Sequence, residues 1–423
     1  MTVKINLQTS VCFGLVLINL CFSPVHAQTS PPPQMQTSYT YKELLAGFEN
    51  SPLSQESGAI ADAALARVQQ AQMRTNPEIS LEVENFAGNH AYRGLREAET
   101  TIAISKDLEL FGRRSARVNI ARSNSQAANL QKEIRKLEFA SNLAKLFGEA
   151  EASKMRLDLA ASHMRLVEDD LRIVSTLYEG GREPMLRKVQ AETDLAVARG
   201  ELADLQNQYV IAMMELRSFV NHPSPNMTIV PTLLGTAPKA STSFQIAANP
   251  TYRALVELRN TSRFQIESAR IDARPNARAY LGARNLNGTS SVAFVGGVSV
   301  NVPFFDKNVG NIAASSAELR ANETRISAFI ISVEGNRNVL LNRQRATDEK
   351  LSSLASVISI AEESYTIAKV GFQAGKINLI EVQNARNILL ETRKSIISAQ
   401  LERVRIEAEL AQIEGRLPYE VIR

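Results

Sequence analysis

The sequence predicts a mainly α chain with a small β part: long coiled-coil helices joined to two membrane β-hairpins. Three observations carry that reading. First, no proline stands between Gly112 and Pro184 and no glycine between Gly112 and Gly148. Their absence permits one helix of about 60 residues, about 90 Å long. Second, four short runs alternate apolar and polar residues with the period of a strand that has one oily and one wet face. Third, Pro52, Pro77 and Gly112 are echoed by Pro250, Pro275 and Gly310, each 198 residues on, and Gly181 by Gly375, 194 on. Four landmarks at nearly constant offset indicate an internal duplication.

Residues 1–27 read as a secretory signal: Lys4, an apolar run from Val11 to Phe22, and the small-x-small cleavage pattern Val25-His26-Ala27. Lipid attachment at Cys21 is the alternative, disfavoured by Leu20 in front of it. Cleavage after Ala27 removes Cys12 and Cys21, the two cysteines of the chain, so the exported protein must hold together by packing or oligomerisation. Residues 28–40, with Pro31-Pro32-Pro33, read as a disordered tail.

The first repeat is expected over 41–221. A short helix starts near Tyr41, and an Ala-rich one runs from about Pro52 to Arg74. A hairpin follows at about 77–110: Ile79, Leu81 and Val83 alternate with Glu78, Glu82 and Glu84. After a polar turn, Ile102, Ile104, Leu108 and Leu110 face away from Thr101, Ala103, Ser105, Asp107 and Glu109. The long helix then carries Leu130, Ile134 and Leu137 at the spacing of a packing seam. A helix of that length needs partners along it. The turn at about 178–184, Glu179-Gly180-Gly181-Arg182-Glu183-Pro184, reverses the chain into a returning helix.

Residues 222–249, with Pro223, Pro225, Pro231 and Pro238, read as a Pro/Ser/Thr-rich linker in the equatorial region. The second repeat spans 250–415, with its hairpin at about 275–303 and its tip at about 371–378. Ala277, Ala279, Leu281 and Ala283 oppose Arg278, Gly282 and Arg284; Val298, Val300 and Val302 oppose Ser299 and Asn301. Its long helix, from about Asn311 to Val370, has Leu351, Leu354, Ile358 and Ala361 in seam spacing, and residues 416–423 form a C-terminal tail.

Strands of about ten residues can cross an outer membrane when tilted. Four strands cannot close a barrel, and open edges in lipid leave backbone groups unpaired at several kcal/mol each. Completion by other copies is therefore expected; a homotrimer supplies a twelve-stranded barrel over an α-helical periplasmic tunnel. The other reading is a structural, adhesin-like envelope coiled coil.

Little in the sequence points to catalysis. The net charge of +4 is spread over interleaved acids and bases, which argues for solvated helix faces and against a nucleic-acid partner. With no Trp and 6% aromatic residues, a conventional enzyme core is not expected. Beyond the signal the histidines are His90, His163 and His222, too scattered to converge on a metal by local spacing. His90 fits an exposed loop, and Met155, Met164, Met213 and Met214 fit irregular helix interfaces better than soft-metal binding. The chain is expected to be no enzyme and to need no cofactor.

The repeated unit of helix, hairpin, long helix, tip and returning helix resembles the TolC-like outer-membrane efflux channels, from about Tyr41 to Glu414. Asn76-Pro77-Glu78, Glu82-Val83-Glu84-Asn85-Phe86-Ala87-Gly88 and Leu108-Glu109-Leu110-Phe111-Gly112-Arg113-Arg114 are similar to the heavy-metal efflux branch. The resemblance implies a passive homotrimeric conduit in outer-membrane lipid. Its implied partners are a periplasmic membrane-fusion adaptor and an inner-membrane proton-driven pump of the RND type. Heavy-metal cations are the implied cargo, with drug efflux or type I protein secretion as the alternative. It places adaptor docking at the tips, Gly180, Gly181 and Gly375. It also places a narrow entrance where two acidic residues stand three apart. Glu381 holds the first position and Asn384 the second, so one of the two rings is neutral. Arg187 occupies the position equivalent to Glu381 in the first repeat, where an ion pair could hold the entrance shut. Glu381 also reads as the partner of Asn378 in a helix capping box.

Overall fold

A computed structural model of the chain describes residues 38–221, 226–238 and 244–419. The expected signal, Cys21 and His222 lie outside the described residues. In chain order the elements are Ser38–Tyr39 (β1), Tyr41–Ala46 (α1), Pro52–Gln72 (α2), Glu78–Glu84 (β2), Glu99–Leu108 (β3), Arg113–Glu179 (α3) and Met185–Phe219 (α4). They continue with Thr228–Ile229 (β4), Pro250–Asp272 (α5), Asn276–Leu286 (β5), Ser291–Asn301 (β6), Val309–Gln373 (α6) and Leu379–Glu414 (α7).

The two hairpins join into one antiparallel sheet of order β2-β3-β5-β6. Register puts the oily positions in rows: Ile79, Ile104, Leu281 and Gly296 in one, Leu81, Ile102, Ala283 and Phe294 in the next. These side chains stand in the open, with Ile79 75% and Phe294 86% exposed. The opposite face is polar and cross-linked by two arginines. Arg278 reaches Glu78 at 2.7 Å and Asp107 at 2.9 Å. Arg284 reaches Glu84 at 3.1 Å, Glu99 at 2.9 Å and the Thr101 hydroxyl at 2.9 Å. An exposed apolar face, a charged reverse and free edges on β2 and β6 are the reverse of a soluble sheet's economy. No helix among the described residues is long and apolar enough to cross a membrane.

Below the sheet, α3 runs for 67 residues, about 100 Å at the α-helical rise. It packs against α2, α4, α5 and α7, while α6 packs against α5 and α7. The core sits at mid-height, where Phe48, Phe139, Leu143, Phe147, Leu216, Leu234, Leu401 and Val404 meet. Gly148 permits the close approach of α3 to α7: a Cβ there would lie 2.9 Å from Val404 Cγ1. Leu130 and Ala361 are buried and Ile134, Leu351, Leu354 and Ile358 half-buried, so the seam positions are partly covered within one chain. Ile331, Ile360 and Ile367 on α6 and Leu186 and Val197 on α4 remain more than half exposed.

Four expectations need correction. Leu110 continues the alternation of the second strand, yet β3 stops at Leu108. Phe111 (φ 58) and Gly112 (φ 81) turn the backbone left-handed to swing the chain from the sheet into α3. The arginines that follow tie the junction together. Arg113 donates to the carbonyls of Ile271 and Arg274, and Arg117 to those of Ala71 and Met73, satisfying the last carbonyls of α5 and α2. The tail expected over 28–40 ends in structure: β1 pairs in parallel with β4, and Thr40 and Glu43 form a capping box for α1.

In the 222–249 stretch, read as a linker from its prolines, Met227, Leu233 and Leu234 are buried in the core. The Glu151 carboxylate, buried on α3, accepts the Leu233 backbone N–H at 3.0 Å and that of Leu234 at 3.4 Å. Burial holds the Glu151 carboxyl above the usual carboxylate range, opposed by those backbone bonds. The C-terminal tail is anchored as well. Arg416 forks onto Glu407 at 2.6 Å and Glu414 at 2.8 Å, and Tyr419 meets Tyr41 edge to face. Apolar residues between prolines, and a paired arginine beyond the last helix, outweigh the tail-like composition.

Candidate functional site at the helical tips

The two reversals at the far end of the helices use one local device. Arg182 N–H donates to Leu177 O at 2.8 Å and Gly181 N–H to Tyr178 O at 2.9 Å. In the second repeat Lys376 N–H donates to Gly371 O at 2.9 Å and Gly375 N–H to Phe372 O at 2.9 Å. This is the paired bonding of a Schellman motif, which needs a left-handed residue just past the helix. Gly181 (φ 71) and Gly375 (φ 69) supply it. Nothing lies within 4 Å of a Cβ built on either, so conformation alone demands glycine. Gly180, named with them from the sequence, has φ −78 and carries no such demand. The second turn starts later than the sequence indicates, because α6 continues to Gln373.

Asn378 opens α7 by accepting the Glu381 backbone N–H on its side-chain oxygen at 3.2 Å. The return bond from Glu381 is not formed, so only half of the expected capping box exists. The Glu381 carboxylate is thereby left exposed on the outer side of the first turn. Asn384 is exposed one turn further on, while Leu379, Val382 and Ala385 turn inward onto Val174, Ala368 and Phe372. Arg187 is half-buried at the matching place on α4 and makes no ion pair with Glu381 within one chain.

Near the tips a buried cation, Arg386, does engage an acid. It is 6% exposed and pairs with Asp170, joining α7 of the second repeat to α3 of the first. Its Nε has no protein partner. Burial pushes the Asp170 carboxyl above its ordinary range, against the pull of the Arg386 guanidinium. Tyr365, on α6, is raised by burial and then by Asp170. Burial, then Arg386, lowers His163. Two turns further along α7, Lys394 reaches Glu201 of α4 at 2.7 Å and Glu391 at 3.3 Å. Polar links thus bind the returning helix to the first repeat near the tips.

The sequence held a signal for Arg386 that its hydrophobic pattern hides. Leu379, Val382, Arg386 and Leu389 follow seam spacing, and all four are buried, so an arginine fills a position that packing would give to an apolar residue. Among the described residues no group of three or more His, Cys, Asp or Glu side chains is placed to hold a metal ion.

Residues 48–222 and 259–416 match the family described as outer membrane efflux protein. The chain is 26% identical to the nickel-cobalt-cadmium resistance protein NccC of Alcaligenes xylosoxydans xylosoxydans, over 98% of this chain and 93% of that one. It is 29% identical to the nickel and cobalt resistance protein CnrC of Cupriavidus metallidurans, over 93% of each. In three dimensions it resembles the crystallised CusC, with a TM-score of 0.76 at 17% identity, covering 89% of this chain and 92% of that one.

Proposed function

From the premise that the chain belongs to the outer membrane efflux protein family, we propose that three copies form the passive exit duct of a proton-driven tripartite efflux system for heavy-metal cations. The observation that carries the assembly is the four-stranded sheet with an exposed oily face and two free edges. In lipid those edges must be paired, and two further copies do so while covering the unpartnered faces of α4 and α6. Residues 1–27 act as the export signal. The apolar rows face lipid, the arginine-bridged face lines the lumen, and the helices descend into the periplasm.

The tips at Gly181 and Gly375 meet a periplasmic adaptor, and through it an inner-membrane pump that supplies the energy and chooses the cargo. Divalent cations are favoured as cargo by the names of the relatives, which are resistance proteins for nickel, cobalt and cadmium. The entrance contributes in the same sense. Glu381, repeated by symmetry, makes a ring of three carboxylates that attracts cations and disfavours anions; Asn384 adds a neutral ring beside it.

Purified protein in a planar bilayer is expected to give discrete single-channel conductance with cation preference. Glu381→Gln keeps the backbone N–H that Asn378 caps and removes the charge. Its reversal potential in a salt gradient should move toward zero, with the trimer intact. Absence of conductance from well-folded trimer would contradict the duct. Conductance with unchanged selectivity in Glu381→Gln would leave that residue only its place at a helix start.

A further inference from the structure

The junction between sheet and helices carries a surface that neither the lumen nor the tips use. Beyond β6, Phe304 and Phe305 are 76% and 103% exposed, shortly after the exposed Val300 on the apolar face of β6 and Val302 just past its end. At the matching junction of the first repeat Phe111 is 49% exposed, with the Arg274 guanidinium 5.4 Å from its ring centre. Asn308 donates to Ala269 O at 2.8 Å, which brings the segment after β6 against the end of α5 and therefore beside Arg274.

Several bases at this level are free of acidic partners. Arg74, Arg114, Arg270, Arg274 and Lys307 are exposed, and among the described residues none has a carboxylate within ion-pair distance. Three carboxylates of the junction are engaged: Asp272 with Arg113 at 3.0 Å, Glu109 with Arg117 at 2.8 Å, and Asp107 with Arg278 at 2.9 Å. Asp306 accepts the Asn308 backbone N–H at 2.9 Å. The belt is thus aromatic toward the sheet and cationic toward the helices.

We infer that this belt is a phospholipid site in the periplasmic leaflet: Phe304, Phe305 and Phe111 enter the acyl boundary, and Arg114, Arg274 and Lys307 hold anionic headgroup phosphate. The inference rests on the reading of the apolar rows as lipid-facing. Aromatic side chains settle at the rims of membrane barrels, and bases beside a bilayer are drawn to anionic lipid. The continuity from Val300 and Val302 into Phe304 and Phe305 places the belt at that rim. Lipid is favoured over a protein partner because the cations share this junction with exposed phenyl rings, Arg274 against Phe111 and Lys307 two residues after Phe305, at the edge of an oily band.

Native mass spectrometry of the detergent-solubilised trimer, given equal phosphatidylglycerol and phosphatidylcholine, tests it. Wild type should retain phosphatidylglycerol in preference. The combined Arg114→Gln, Arg274→Gln and Lys307→Gln protein should lose that preference by about tenfold or more. Phe304→Ser with Phe305→Ser should retain less of both lipids. No preference in wild type, or full preference in the triple variant, overturns the proposal. So does displacement by millimolar inorganic phosphate that itself binds, which would mark a free-phosphate site. Bilayer conductance of the same samples separates the two failures: conducting trimer without lipid preference sinks only the lipid site, whereas non-conducting trimer sinks the duct.

Discussion

Asp170→Ala is expected to be among the most damaging single substitutions in the helical tunnel, and Arg386→Leu on the other side of the same pair is expected to be mild. The asymmetry follows from which charge is stranded. Arginine cannot deprotonate in a protein, so without Asp170 the buried Arg386 keeps an uncompensated charge. Breaking a buried pair in this way costs about 3–5 kcal/mol. Without Arg386, Asp170 can take a proton, and burial already holds its carboxyl above the ordinary range.

The pH dependence has a definite sign. In Arg386→Leu the folded-state value of Asp170 lies above the unfolded one, so the folded protein binds more protons through the window between them. Stability from this group is then present at acid pH and lost as pH rises through the folded value. Thermal unfolding of the trimer should therefore show Arg386→Leu closer to wild type at pH 5 than at pH 8, and Asp170→Ala destabilised at both. Removing both partners as Asp170→Ala with Arg386→Leu should recover much of the loss, as apolar replacements of buried pairs do. Because the pair ties α7 to α3 behind the proposed entrance, both single variants should raise resting conductance. If the two variants are equally stable and the pore stays as closed as in wild type, Arg386 is neither a stranded charge nor a latch.

Valine at Gly375 is expected to abolish efflux while leaving the barrel assembled. Its left-handed φ of 69 is closed to a β-branched residue at acceptable energy, and even an ordinary L-residue there costs about 1–2 kcal/mol. In the proposed trimer three strained turns would surround one ring. Gly181→Val should behave likewise, since its φ is 71. Gly180→Val, one residue away with an ordinary φ, is the internal control and should retain function. Metal resistance of cells carrying each variant, with cross-linking to the adaptor, reads the outcome. Full resistance with Gly375→Val would mean that the tips are not the docking and opening end.

Much of this architecture was legible because it follows from simple periods. Ile79, Leu81 and Val83 announce a strand with one oily face, and the recurrence of Pro52, Pro77 and Gly112 announces a second copy of the unit. The paired glycines mark the reversals because few residues tolerate a left-handed turn. What stayed hidden depends on contacts distant in sequence. Leu110 continues an alternation that the turn at Phe111 cuts short. Leu233 and Leu234 lie in a proline-rich stretch and find their place in the core beside Glu151, on another element, which accepts their backbone N–H groups. Arg386 occupies an apolar seam position and makes sense only beside Asp170. At the proposed entrance Glu381 stands exposed behind its cap, and no ion pair with Arg187 forms within one chain.

The most direct measurement is the mass of the purified protein in mild detergent. The four-stranded sheet with free β2 and β6 edges requires partners in lipid, so the expected particle contains three chains and closes a twelve-stranded barrel. A particle of one chain that is stable and folded in detergent and in lipid would contradict the account at its root.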